Sequence, residues 1–371
     1  MFTIIQNGFK VPDIRKKLLF VLYAIIIYSV GAHIPVPGIN ADALQNLFGQ
    51  NNLFGMMDIF VGGSLRRFSI FALGVNPYIN ASIIFQLLQV VVPKLEEMAK
   101  EGETGQKVLK QWQKYLTVVL AFLQAAGLLV MFHNSKGILI HDSFMLKVLI
   151  MVSLVGGTSF LMWLGEQITV EGVGNGISLI IFIGIVNSLP GQVMRTWQQA
   201  QMNNNYLGLV SLLVISIATI AFIIYIHLGQ RKIPVQYAKR IIGRKVISGQ
   251  TTYLPMRVNT AGVIPIIFAI SFLMIPGTVA QFIPTPSIQQ IISKFNSSSV
   301  LYNALYFIFV FAFTFFYTAV VFNPKDIAER MKKHGGFILG IRPGRPTAEY
   351  LERIMVRITF MGALFLGYSR M

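Results

Sequence analysis

The chain has 371 residues, of which 12% are charged and 54% apolar, against a charged share of about 25% in soluble domains. A soluble globule could not hide that apolar surface, and a disordered chain would not be 12% aromatic. The composition therefore specifies a polytopic membrane protein and argues against a soluble enzyme or a free nucleic-acid-binding domain. Net charge is +17 and there is no cysteine, which removes disulfides, thiolate nucleophiles and cysteine metal sites. The five histidines (His33, His133, His141, His227 and His334) are scattered without metal-ligand spacing.

A mildly polar, basic segment, 1–17, opens the chain with no signal-peptide pattern after it. At about 20 apolar residues per crossing, spans are expected at 18–34, 69–92, 115–132, 148–165, 176–189, 207–228, 259–282 and 300–322. The fifth is short. A ninth begins near Ile358 and holds only about nine apolar residues before the polar end, at about 1.5 Å of rise each. It is expected to stop inside the bilayer, and export by this chain alone is expected to fail.

Orientation follows from the basic residues. Of the 31 Lys and Arg, 24 fall in the N-terminal tail and in the loops after spans 2, 6 and 8. The positive-inside rule puts those segments and the N-terminus in the cytoplasm. Two cytosolic loops, 229–257 and 323–357, are longer than a connection needs. Apolar and β-branched residues among their charges (Ile233, Val235, Tyr237, Val246, Ile247) favour ordered, projecting structure. Such loops read either as topology signals alone or as a docking surface for a large cytosolic partner, since phosphate attracts clustered Lys and Arg.

Inside the spans strongly ionisable residues are nearly absent; Glu166 and His227 sit at span ends. Ion-coupled carriers use embedded charges, and intramembrane enzymes need paired acids, a His-Glu pair or a placed base. Neither class fits, and a small-solute carrier would also need a polar pocket. The spans hold amides and hydroxyls instead: Asn76, Asn80, Ser82 and Gln86 in span 2, Asn175 and Ser178 opening span 5, Asn259 and Thr260 opening span 7. Each reads singly as interhelical hydrogen bonding, or jointly as a shared polar seam. Residues 52–67 are apolar, broken by Gly55, Gly62 and Gly63, and too short to span. They read as an interfacial helix or as a re-entrant element, and re-entrant backbone needs protein or a cavity around it.

Several blocks then resemble one family. They are Ala32–Gly38, Gly62-Gly63-Ser64-Leu65, Ser69–Gly74 with Pro77-Tyr78-Ile79, Met162–Thr169 and Gly174–Ser178. Gly229–Lys232, Tyr237–Arg240, Asn259–Pro265, Phe316–Ala319, Val321–Pro324 and Gly340–Gly344 follow in order. The chain resembles the SecY family, the channel subunit of the bacterial Sec translocon. The resemblance implies an all-α polytopic membrane protein, an inverted-repeat helical bundle with a re-entrant plug. Eight full spans plus a partial ninth are present here, divided as 18–190 and 191–371. The family's tenth span has no counterpart in this sequence.

The resemblance also implies roles. Val75, Ile79, Ile177, Ile181 and Ile267 map onto the hydrophobic pore ring. Met56, Phe60, Gly62, Gly63 and Arg67 map onto the plug. Gln86, Asn175, Ser178 and Asn259 map onto the lateral gate between spans 2 and 7. Arg231, Lys239, Arg240, Arg244, Lys245 and Arg342 map onto the loops that dock partners. The implied partners are SecE and SecG, the SecA motor ATPase, the translating ribosome, preproteins with their signal sequences, and membrane lipid. The implied place is the cytoplasmic membrane, and no cofactor, metal or catalytic residue is implied. The expected function is translocation of unfolded secretory polypeptides, with lateral release of hydrophobic segments into lipid.

Overall fold

The computed structural model describes residues 11–40, 43–44, 58, 61–134, 137–141, 143–237, 240–242, 245–247, 251–282 and 299–368. Two compact units divide the chain, Met1–Met202 with Met274–Ser299 and Asn203–Leu273 with Val300–Met371.

Among the described residues the helices lying wholly in the first unit are α1 (Pro12–Gly31), α2 (Asn76–Val91), α3 (Pro93–Lys100), α4 (Glu103–Asn134), α5 (Phe144–Glu171) and α6 (Gly176–Met202). Proline stands in the opening turn of α1, α2 and α3. There the missing N–H is harmless and the fixed φ suits a helix start. Pro93 also parts α2 from α3, whose axes differ by 102°. Between α1 and α2 the chain returns through turns, residues 61–75. This returning segment is packed on both sides. Leu65, Phe68, Ala72 and Leu73 join Ala121, Leu128 and Phe132 of α4 and Ile150 and Leu154 of α5 in one core. Phe71 and Val75 join Ala24 and Tyr28 of α1, Leu161 and Leu164 of α5, and Ile180 and Ile183 of α6 in a second. Gly157 of α5 makes the close approach possible, because a Cβ there would lie 1.9 Å from the Ile70 carbonyl oxygen.

The second unit holds α7 (Tyr206–Leu228), β1 (Gln230–Tyr237), β2 (Arg240–Ile242), β3 (Lys245–Ile247), β4 (Thr251–Arg257), the part of α8 (Ile264–Phe282) up to Leu273, α9 (Val300–Val321), α10 (Pro324–Lys333), β5 (Gly336–Phe337) and α11 (Arg345–Tyr368). The α7 helix is apolar all round and none of its residues is buried, as suits a helix facing lipid. Along α9, Tyr302, Tyr306, Val310, Thr314 and Thr318 recur every fourth residue as its buried face. Outside the helices, β1 pairs antiparallel with β4 and β5, and β2 pairs with β3.

Among the described residues five helices are long and apolar enough to cross a membrane, or six if α2 and α3 count as one bent span. The structure revises several expectations. The expected all-α architecture gains strands, since 229–257 forms a hairpin in which Ile233 and Val235 alternate inward. Alternation at a period of two buries one face of a strand and leaves the other wet. Span 2 becomes helical only at Asn76, because Gly74 has φ +58 and Pro77 opens the helix. Span 7 likewise starts at Ile264, after Gly262 at φ +66. The fifth span is not short: α6 runs through Pro190 to Met202. The apolar run expected as the ninth span, from near Ile358, is the C-terminal part of α11, a helix that starts at Arg345.

The two long loops share one core. Ile233, Val235 and Met256 of β1 and β4 pack with Met331 of α10, Ile338, and Leu351 and Ile354 of α11. Leu351 is fully buried, so Leu351→Ala should cost about 2–5 kcal/mol. Limited trypsin digestion of the membrane-embedded protein should then cut the 229–257 and 323–344 loops together. Cleavage confined to one loop would show that they fold independently.

Candidate functional site

The first unit brings four of the ring candidates together. Val75 is buried just ahead of α2, and Ile79, one turn into that helix, is half-buried against the same cluster. Ile177 and Ile181, one turn apart on α6, pack on it as well. The spacing of four residues on each helix puts each pair on one face. Ile267 lies in α8 of the second unit and is half-buried there.

Ahead of this cluster comes the returning segment. Gly62 and Gly63 have φ +70 and +80. Val61 is buried, and its carbonyl accepts the Tyr28 hydroxyl of α1 at 3.1 Å. At Gly62 the backbone lies against Gly184 of α6. Asp58 ties the turn to itself: its carbonyl accepts the Gly63 N–H at 2.8 Å and its Oδ1 accepts the Arg66 N–H at 2.9 Å. Burial pushes the Asp58 carboxyl above the usual carboxylate range, partly offset by the Arg66 backbone N–H and guanidinium. Arg67 is exposed and its guanidinium donates to His33 Nε2, while His33 Nδ1 faces the Ser29 carbonyl at 2.7 Å. Further on, the Val36 N–H donates to the Phe68 carbonyl at 2.9 Å and the Ile70 N–H to the Ile34 carbonyl at 3.1 Å. Met56 and Phe60 lie outside the described residues.

The gate candidates bond within their own segments. Gln86 Nε2 donates to Ser82 Oγ, one turn earlier, at 3.1 Å. Asn175 is exposed and caps α6: its Oδ1 accepts the Ser178 N–H at 3.1 Å. Thr169 Oγ1 accepts the Gly176 N–H at 2.8 Å beside it. Ser178 is exposed. In the second unit Asn259 is buried and precedes α8 rather than opening it. Its Nδ2 donates to the Gly262 carbonyl at 3.2 Å, and its Oδ1 has no donor among the described residues.

Of the docking candidates, Arg231 projects exposed from β1 and Arg342 is exposed in the turn ahead of α11. The Arg342 carbonyl accepts the Thr347 hydroxyl at 2.9 Å, which pins that turn to the helix. Arg240 and Lys245 belong to β2 and β3. Lys239 and Arg244 lie outside the described residues.

Sequence reading missed the Tyr28–Val61 bond and the Gly184 approach, because neither residue belongs to a polar motif or a glycine-rich run. It also missed the ion pair between Lys114 of α4 and Glu166 of α5, at 2.7 Å. Both partners are about a third exposed, and such a pair contributes no more than about 1 kcal/mol. Since Asn175 acts as a helix cap, Asn175→Ala should lower stability by about 1 kcal/mol and Asn175→Asp should retain it. Thermal unfolding in detergent micelles checks this; equal losses in both variants would remove the capping role.

Comparisons with known proteins follow this geometry. The family model described as SecY matches residues 69–369. The protein translocase subunit SecY of Halalkalibacterium halodurans is 46% identical over 99% of this chain and 87% of its own length. A solved protein-conducting channel superposes with a TM-score of 0.66 at 19% identity, covering 96% of this chain and 84% of that one. A second solved chain, from work on a SecY plug domain that stabilises the closed channel and maintains a membrane seal, gives 0.64 at 18% identity, covering 96% and 84%.

Proposed function

The chain belongs to the SecY family and is the pore-forming subunit of a protein-translocating channel in a membrane, and on that premise we propose how its residues divide the work. Val75, Ile79, Ile177 and Ile181 form the constriction, and Ile267 is assigned to it by the family resemblance alone. The observation that carries this is the single apolar cluster that unites two residues near the start of α2 with two from α6. An aliphatic ring is dry, so it resists ions, yet its side chains can deform around a passing polypeptide. The segment through Gly62, Gly63 and Arg67 is the plug, with Met56 and Phe60 assigned to it by resemblance.

Gln86, Asn175, Ser178 and Asn259 are assigned to the lateral gate through which hydrophobic segments pass sideways into lipid. Asn259 supports this best: its carbonyl oxygen is buried without a donor among the described residues. A group in that state costs free energy, and a gate that parts under a signal sequence needs a closed state that is not too stable. Spans 1–5 and 6–9 make up the two halves of the repeat. The N-terminus and the basic loops face the cytosol in the cytoplasmic membrane. There Arg231, Lys239, Arg240, Arg244, Lys245 and Arg342 meet SecA or the ribosome, while SecE and SecG complete the channel.

The ring is tested by ion conductance of the assembled channel without substrate. Ile79→Ser with Ile177→Ser should wet the constriction and raise resting conductance about ten-fold or more. Unchanged conductance would move the constriction elsewhere. Docking is tested separately, because Arg342 is exposed and only its backbone is engaged. Arg342→Glu should leave folding within about 0.5 kcal/mol and reduce motor-driven export severely. Export at the unsubstituted rate would refute the docking role.

A further inference from the structure

We infer that Tyr28 of α1 and Gly184 of α6 form the seat of the returning segment and so set how firmly the resting channel is closed. The inference rests on reading that segment as the plug, and it concerns what holds it rather than what it is.

Most of the returning segment is held redundantly. From Leu65 to Val75 its apolar side chains belong to two cores, and its backbone is bonded to Ile34 and Val36. Around Val61 and Gly62 the attachment is of a different kind. Val61 is buried, so its carbonyl needs donors from protein. Among the described residues it has two: the Ser64 N–H of its own turn at 3.4 Å and the Tyr28 hydroxyl at 3.1 Å. Of these, the hydroxyl ties it to another element. Tyr28 is itself almost fully buried, so its hydroxyl loses its acceptor whenever the segment leaves. Both partners therefore favour the seated state.

Gly62 supplies the second contact. A Cβ built there would lie 2.6 Å from the Gly184 carbonyl oxygen and 2.9 Å from the Gly184 Cα, both backbone atoms that cannot swing aside. The segment thus rests backbone to backbone on α6. Gly63 provides a built-in control. It has a similar left-handed φ, +80 against +70, but a Cβ there would meet nothing within 4 Å. Adding a methyl group at either position strains the turn alike. Only at position 62 does it also push the segment off α6.

The test compares three substitutions in the assembled channel, reconstituted in vesicles without substrate, by resting ion leak. Gly62→Ala should leak on the order of ten-fold more than Gly63→Ala, because overpacking against fixed backbone adds to a strain both share. Tyr28→Phe, which removes one oxygen and keeps the ring, should raise the leak several-fold, as expected for a lost buried hydrogen bond. Melting temperature and subunit assembly are measured alongside, so that an unfolded variant is not scored as a leaky one. Equal leak from the two alanine variants, or no change with Tyr28→Phe, overturns the seat. Failure of the plug reading is separate and has its own arm. The chain has no cysteine, so His33→Cys with Arg67→Cys can be bridged by a short bis-maleimide. Bridging should stop export. If it does not, the segment need not move, and the plug reading falls whatever the leak shows.

Discussion

Irregular backbone at membrane depth is the constraint on which the first unit depends. Lipid offers no hydrogen bonds, so every N–H and C=O that is not in a helix must be satisfied by protein. Residues 61–75 are irregular backbone packed among the apolar helices of this unit. The chain answers with backbone bonds from Ile70 to Ile34 and from Val36 to Phe68, a bridge between Pro35 and Ser69, and the Tyr28 hydroxyl on Val61. Close approach of backbone to backbone then becomes necessary, which is why Gly157 of α5 faces Ile70. Two separate apolar cores form on either side as a consequence.

The second unit solves a different problem. Its charged loops have to hold an ordered shape outside the apolar helices. Two loops that would be weak alone share Ile233, Val235, Met331, Ile338, Leu351 and Ile354 as one core. The α11 helix belongs to that core through Leu351 and Ile354 and continues to Tyr368, with Ala363, Leu366 and Gly367 buried near its end. Load applied at the basic loops therefore reaches an element that also packs on α9. The charges lie outside: α10 buries only Ala328 and Met331 and turns its Lys and Arg to solvent. Electrostatic attraction and mechanical stiffness are thus carried by different faces of the same small fold.

Amides and hydroxyls in the spans serve local purposes first. Asn175 closes the start of α6, Gln86 bonds to Ser82 on its own helix, and Thr314 returns to the Val310 carbonyl. Each satisfies a polar group that lipid could not. Asn259 differs, because one end of its amide is engaged and the other is not. Residue type alone does not show that distinction.

The sequence by itself determined the membrane class, most helix positions and the glycine-broken segment before α2, whereas the candidate ring residues came from the family resemblance. The first three depend on signals that are local in the chain: runs of apolar residues, prolines that open helices and glycines that break them. It also showed order in the basic loops, through β-branched residues alternating with charge. Only the tertiary structure decided where α2 and α8 become helical, because Gly74 and Gly262 adopt left-handed conformations whose need arises from packing. It alone joined the two loops into one core, and it alone set Tyr28 on Val61 and Gly62 on Gly184. Those contacts link residues 33 and 122 positions apart, so no local pattern encodes them. They follow from which surfaces meet once the helices have packed.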